Sequence, residues 1–324
     1  MSPSPRTPPP AGAAPADDMR TGVMLALAAY GMWGILPAYY KLTDTIPADI
    51  VVAHRILWSV IFVGGYLVLL RRGAEIREAL TDPAIVLRLS VSAVLIGVNW
   101  LVFVWAIENQ KVLDVSLGYF INPLVSILIG LVVLRERLTR FQGIAVAMAA
   151  VAVALQAAVA GGLPWVSLVL AFSFAGYGYM RKVTPVRPTP GMVVETVLLL
   201  PVALGFLLLN VSWGVDAFMT NDMVLLAALA GTGIVTALPL ICFSGAARRL
   251  PLVLIGVMQY LAPSLHFAMA VFIWGEPLDP AKLSTFAIIW AALAIFTADS
   301  WRQYARTRRE TAAGARSVEG NRAL

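Results

Sequence analysis

Residues 50–70 read IVVAHRILWSVIFVGGYLVLL. The run is apolar enough to cross a bilayer, yet His54 and Arg55 stand side by side near its start. A helix spans the hydrocarbon core with about 20 mostly apolar residues. Ionisable groups inside such helices usually face a bundle interior or a wet cavity. If Arg55 turns inward, the chain is a helical bundle with a polar interior. If it snorkels to the outer headgroups, only the bundle follows. His54 points about 100° away from Arg55 on a helical wheel, so the two polar groups spread over a wide arc that lipid satisfies poorly.

Similar runs recur along the chain, at about 21–40, 89–107, 115–134, 141–160, 163–180, 191–210, 223–247, 253–274 and 283–298. Of 324 residues, 60% are hydrophobic and 13% charged. A soluble domain is nearer about half apolar and about a quarter charged. The expected fold is all-α integral membrane with ten transmembrane helices in contact with the lipid bilayer. Cationic loops tend to stay on the cytoplasmic side. Both tails and every second loop carry 20 of the 24 Lys and Arg residues, the other loops hold Lys41, Lys111 and Lys282, and Arg55 is the remaining one. Both termini are therefore expected in the cytoplasm, in a plasma-membrane protein. The net charge of +6 is read as topology, with no nucleic acid as partner.

An internal repeat appears at an offset of 140 residues: PLVSILIGLVVLRERL begins at Pro123 and PSLHFAMAVFIWGEPL at Pro263, with Glu136 and Glu276 at matching positions. YGMWGILPAYYK in the first span aligns loosely with FSFAGYGYMRK in the sixth, and VVAHRILWS in the second with VVETVLLLP in the seventh. The order predicts two five-helix repeats, residues 21–160 and 161–300, flanked by a disordered tail at 1–20 and a basic tail at 301–324. Five is odd, so the second half enters from the opposite side. Inverted repeats of this kind place a site near the midplane where the halves meet.

GVNWLVFVWAIENQKVLDVSLGYFINPLVSILIG (97–130), LAFSFAGYGYMRK (170–182), MQYLAPSL (258–265) and PADIVVAHRILWS (47–59) resemble the RarD-type proteins of the EamA group, in the drug/metabolite transporter superfamily. The resemblance covers about Gly22 to Asp299 and implies ten helices in two inverted halves and a transport role. One departure is Ile50, where the family often has an acidic residue; here Asp49 stands just before it.

The polar and aromatic residues of the spans are the candidate substrate contacts. Arg55 and His54 would meet cargo or gate the outer half. Asn99 and Trp100 lie in span three, Tyr119 and Asn122 in span four, Gln259 and Tyr260 in span nine. Pro123 and Pro263 each free a carbonyl four residues back, and such carbonyls are tolerated at membrane depth where polar groups or water reach them. Kinks with interhelical hydrogen bonds and walls of a wet cavity both fit. Trp33 and Tyr177 are expected to stack on planar cargo. Glu195, opposite Arg55 in the repeat, is too far for an ion pair with it, and is a candidate for proton coupling or for plain contact with cytoplasmic water. Small residues at Gly143, Ala147 and Ala150 or Ala154 suit close packing within the chain or across a homodimer.

No Gly-rich, Lys-containing phosphate loop appears, nor a loop large enough for an ATPase domain. No paired His/Glu metal motif, cofactor site or nucleophile elbow is present, so an enzyme is not expected. The expected function is secondary transport, as an exporter, of small metabolites or drug-like amphipathic compounds, with alternating access following from the repeat. The other reading is a non-transporting membrane sensor or assembly subunit of the same fold.

Overall fold

A computed structural model of the chain describes residues 16–303 apart from 44, 110, 160–164, 213–221, 274 and 276–282. Among the described residues the regular elements are helices: α1 (Ala16–Tyr40), α2 (Ala48–Leu69), α3 (Gly73–Thr81), α4 (Pro83–Glu108), α5 (Val112–Val132), α6 (Arg140–Val159), α7 (Trp165–Val183), α8 (Pro188–Ser212), α9 (Met223–Ala247), α10 (Leu252–Phe272) and α11 (Leu283–Gln303). Nine of them are long and apolar enough to cross a membrane. The chain is an all-α, multi-pass membrane protein.

The expected sixth span is α7, a helix of 19 residues that falls outside those nine. Its last turn carries Arg181 and Lys182. α7 packs against α4, α5 and α9, and much of it is buried. Protein neighbours rather than lipid solvate its polar half, which is why composition alone undersells it.

Two apolar clusters hold the bundle. One joins α1, α2, α4 and α7–α10 around Tyr30, Trp100, Tyr177 and Phe243. The other joins α5, α6, α7, α10 and α11 around Phe120, Ala149, Ala171, Tyr260 and Phe286. The face of α6 that packs there is Ala145, Ala149, Ala152 and Ala157. The expected small-residue stripe lies on another side: Ala147, Ala150 and Ala154 are exposed, and a Cβ at Gly143 would meet nothing within 4 Å. Among the described residues that stripe packs against nothing.

Two backbone crossings set the interior. Gly233 of α9 lies on α2, where a Cβ would sit 2.4 Å from the Trp58 carbonyl carbon. There the Ser59 hydroxyl donates to the Gly233 carbonyl at 3.1 Å, and α2 widens into a π turn over Val60–Gly64. Such turns are rare and often mark functional places. Gly256 of α10 lies on α5, where a Cβ would sit 2.7 Å from the Pro123 carbonyl oxygen. Gly233→Ala is expected to destabilise by about 1–3 kcal/mol through overpacking. Thermal unfolding in detergent checks it. Gly205→Ala, at a place open to 4 Å, is the control and should leave the midpoint unchanged or slightly raised.

Polar contacts gather the basic loops at one end of the bundle. Arg249 Nε donates to Asp18 Oδ1 at 2.8 Å, Arg187 pairs with Glu75 at 3.2 Å, and Thr139 Oγ1 donates to Asp299 Oδ2 at 2.7 Å. We call this the basic end. Glu136 belongs to it as well. Its two carboxylate oxygens accept from the Leu252 and Val253 amides at 2.7 and 2.9 Å. A carboxylate from α5's exit thus caps the N-terminus of α10, where free amides and the helix dipole favour negative charge. Lys182 stands 3.9 Å from the same carboxylate. Glu276, the matching residue of the repeat, lies outside the described residues.

Candidate functional site

Arg55 turns into the bundle. Its Nε donates to Thr236 Oγ1 on α9 at 2.8 Å. The guanidinium carbon lies 5.0 Å from the Trp100 ring centroid and 5.7 Å from that of Tyr40. Rings at this range attract a cation through their quadrupoles, more strongly where water is scarce. Tyr119 is within electrostatic reach of both Arg55 and Tyr40, and its ring is 6.4 Å from Phe103. Among the described residues no carboxylate lies within ion-pair distance of Arg55. Arg55 and Tyr119 keep partial exposure, whereas Trp100 is buried. Asp49 caps the amide of Ile50 at 2.7 Å.

A polar track leads inward from this cluster. Tyr119, Asn122 and Ser126 recur at helical spacing and so share one face of α5. Asn122 is buried and its Oδ1 has no hydrogen-bond partner among the described residues. Ser126 Oγ donates to Gln259 Oε1 of α10 at 3.3 Å. The Tyr30 hydroxyl lies beside the Gln259 amide. Trp100 also lines a 120 Å³ apolar hollow between α2, α4 and α8, walled by Val52, Ile56, Val104, Leu199 and Phe206.

The track stops at an aromatic layer. Trp33 lies 5.6, 5.5 and 5.7 Å from Tyr30, Phe174 and Phe243. Tyr177 stacks on Phe243 at 5.9 Å. Edge-on and offset contacts of this kind suit aromatic quadrupoles. Beneath it, toward the basic end, sits a buried ion pair: Arg181 Nη1 is 3.1 Å from Glu195 Oε1, with side chains 1% and 2% exposed. Arg181 also donates to Ser244 Oγ at 2.7 Å and to the Pro188 carbonyl at 3.2 Å. Glu195 also accepts from Ser92 Oγ at 2.5 Å and from the Tyr177 hydroxyl at 3.5 Å. The network joins α4, α7, α8 and α9. Desolvating two charges is costly, and such a pair persists only when its remaining donors and acceptors are also filled.

The structure thus brings Arg55, Trp100, Tyr119, Asn122 and Gln259 along one route, and puts Trp33 and Tyr177 in the layer that ends it. Others turn elsewhere. The Asn99 amide nitrogen donates to the Leu170 carbonyl and to Ser173 Oγ, both at 3.0 Å, and so ties α4 to α7. The Tyr260 hydroxyl donates to the Phe120 carbonyl at 3.3 Å, inside the α5–α10 seam. His54 is buried at 3% exposure. Glu195 meets neither Arg55 nor loop water: it is sealed against Arg181. Sequence reasoning passed over Tyr40, Thr236, Ser126 and Arg181. Part of the signal was there, because a lone carboxylate inside a span needs a cation, but Arg181, Lys182 and Arg187 all stand before the helix that carries Glu195 and the sequence does not choose among them.

Residues 20–157 match the EamA-like transporter family. The chain is 45% identical over 292 residues to Protein RarD of Escherichia coli (strain K12), covering 90% of this chain and 99% of that one. It is 40% identical over 283 residues to the Uncharacterized transporter YojE of Bacillus subtilis (strain 168), covering 86% and 94%. It is 35% identical over 288 residues to the Chloramphenicol-sensitive protein RarD of Pseudomonas aeruginosa, covering 87% and 95%. A crystal structure 18% identical in sequence shares the fold at a TM-score of 0.66, covering 88% of this chain and 99% of that one. With identities this high over nearly whole chains, the protein belongs to the EamA-like transporter family and, within it, to the RarD proteins.

Proposed function

We propose that the chain is a secondary transporter that exports small amphipathic or drug-like molecules from bacterial cytoplasm by alternating access. Its relatives carry transporter names rather than enzyme names. The observation that carries the reading is Arg55: a permanent cation held inside the bundle by Thr236, at the head of a polar track that the aromatic layer and the Arg181–Glu195 pair close off on the other side. A scaffold protein gains nothing from a partly exposed guanidinium beside a sealed gate. The apolar hollow behind Trp100 suits the apolar portion of an amphipathic cargo.

Ten spans in two inverted halves, 21–160 and 161–300, with both termini cytoplasmic, belong to the same proposal. Tyr260 and Phe120, joined by a hydrogen bond, are 140 positions apart, the offset of the internal repeat. A residue that touches its own repeat mate lies beside the pseudo-two-fold axis, where inverted-repeat transporters place their sites. On this reading the basic end is the cytoplasmic side, and the aromatic layer with the Arg181–Glu195 pair is the barrier on that side. Proton coupling through Glu195 would require Arg181 to release it when that side opens.

Cysteine labelling tests the cycle. In a Cys242→Ala background, Tyr119→Cys and Asn122→Cys are expected to react with a membrane-impermeant maleimide added outside. Adding Glu195→Gln, which frees Arg181, is expected to raise labelling from the cytoplasmic side in inverted vesicles. A sensor or assembly subunit would show the same labelling from each side whether or not the ion pair is present.

A further inference from the structure

On the transporter reading above, we infer that the cargo carries one carboxylate, which docks on the Nη edge of Arg55. The guanidinium cannot shed its charge by deprotonation, and among the described residues nothing neutralises it. The nearest acid on its own helix, Asp49, sits six residues back, about 9 Å along the axis at 1.5 Å per residue, and spends an oxygen on the Ile50 amide. On α5, Asp114 faces Lys111 at 3.7 Å. The two rings, Trp100 and Tyr40, lie over the guanidinium within 5.7 Å, and Thr236 holds Nε. What is left open is the pair of terminal nitrogens, the fork that fits a carboxylate with two parallel hydrogen bonds.

Two further polar atoms stand unfilled nearby. The Tyr40 hydroxyl is buried and without a partner among the described residues, and it can donate to the same carboxylate. Asn122 Oδ1, one turn beyond Tyr119 on the same side of α5, is likewise buried and unpartnered, and it can accept from a donor elsewhere on the cargo. Among the described residues the guanidinium that Thr236 and the two rings hold has no carboxylate partner, so it offers a cargo one positive charge. It repels ammonium groups and leaves a dianionic phosphate half compensated. The surrounding rings of Trp100, Tyr119 and Tyr40 favour a planar body behind the carboxylate.

Benzoate, benzamide and benzylammonium share a ring and differ in charge. Thermal unfolding of the full chain in phosphatidylcholine nanodiscs reads their binding, because a ligand that binds only the folded state raises the midpoint. Benzoate is expected to raise it and the other two are not. Arg55→Gln is expected to weaken benzoate by about tenfold or more, roughly 1.4 kcal/mol per tenfold. Tyr40→Phe keeps the cation, removes one donor and is expected to weaken benzoate by a smaller factor, which serves if Arg55→Gln fails to fold. Equal shifts for benzoate and benzamide would overturn the inference, as would a benzoate shift that survives Arg55→Gln. So would a benzoate shift abolished in phosphatidylglycerol nanodiscs, since the guanidinium would then belong to a lipid headgroup. Flux into vesicles, measured separately, keeps the two readings apart. Flux without benzoate binding sinks the carboxylate and spares the transporter; benzoate binding in a protein that moves nothing does the reverse.

Discussion

Replacing Arg181 by leucine is expected to destabilise the protein by about 3–5 kcal/mol, and replacing Arg181 and Glu195 together by much less. The asymmetry comes from what each change leaves behind. Arg181→Leu strands a carboxylate that is 2% exposed, with the Ser92 and Tyr177 hydroxyls left to solvate it among the described residues. Glu195→Leu strands a guanidinium with Ser244 and the Pro188 carbonyl. The double variant strands neither charge and replaces both with apolar bulk among four packed helices. A double-mutant cycle on thermal midpoints in detergent measures the coupling, and the expected result is a double change that costs far less than the sum of the two single changes. The same cycle on flux separates stability from gating. If the pair is a gate that must part in every cycle, the double variant folds well yet loses the barrier on the basic side. Gly191 gives a third handle. A Cβ there would sit 2.3 Å from Arg181 Nη1, so Gly191→Ala pushes the guanidinium off its partner without removing a charge. Additive single effects would show that the two side chains are neighbours without energetic linkage.

The helices facing lipid were plain in the amino-acid sequence because lipid imposes its own composition. Residues 141–160 and 191–210 have no choice but to be apolar, and α6 and α8 follow them closely. α7 shows where that logic weakens: once protein surrounds a helix, Ser, Gly and Tyr serve as well as Leu, and the hydropathy signal fades. The inward bearing of Arg55 was legible for a similar reason, since the arc spanned by His54 and Arg55 has no stable place against acyl chains. Partners were harder. A wheel places Asn99 and Asn122 inside but does not say that Asn99 bonds the Leu170 carbonyl while Asn122 Oδ1 finds no partner among the described residues. That difference depends on how close α7 comes to α4, a tertiary distance with no local trace. Arg181 was hidden by its position. Counted among cations near span ends, it looked like a marker of sidedness, and the partner that pulls it inward is on the next helix.

Arg55→Leu is expected to abolish flux while leaving insertion and folding intact. A central Arg opposes insertion by roughly 2.5–3.5 kcal/mol, less near an interface, so leucine makes α2 easier to insert. What the fold loses is one hydrogen bond to Thr236 and two ring contacts. An interhelical hydrogen bond in a membrane stabilises by about 0.6 kcal/mol on average, and Thr236 can turn its hydroxyl to its own helix. Stability and function therefore part company at this residue, unlike at Arg181, where they fall together. Arg55→Lys is expected to retain a fraction of the flux. An ammonium keeps the charge but presents a compact point with no planar fork, and it covers neither ring as the guanidinium does. Thr236→Val keeps charge and fork and removes only the anchor at Nε, so its flux should lie between those of Lys and wild type. Immunoblots of membrane fractions and melting curves establish folding, and vesicle flux establishes function. Normal flux in Arg55→Leu would remove the cation from the mechanism. It would then be a structural tie between α2 and α9, and the polar route would have to begin at Asn122 and Gln259.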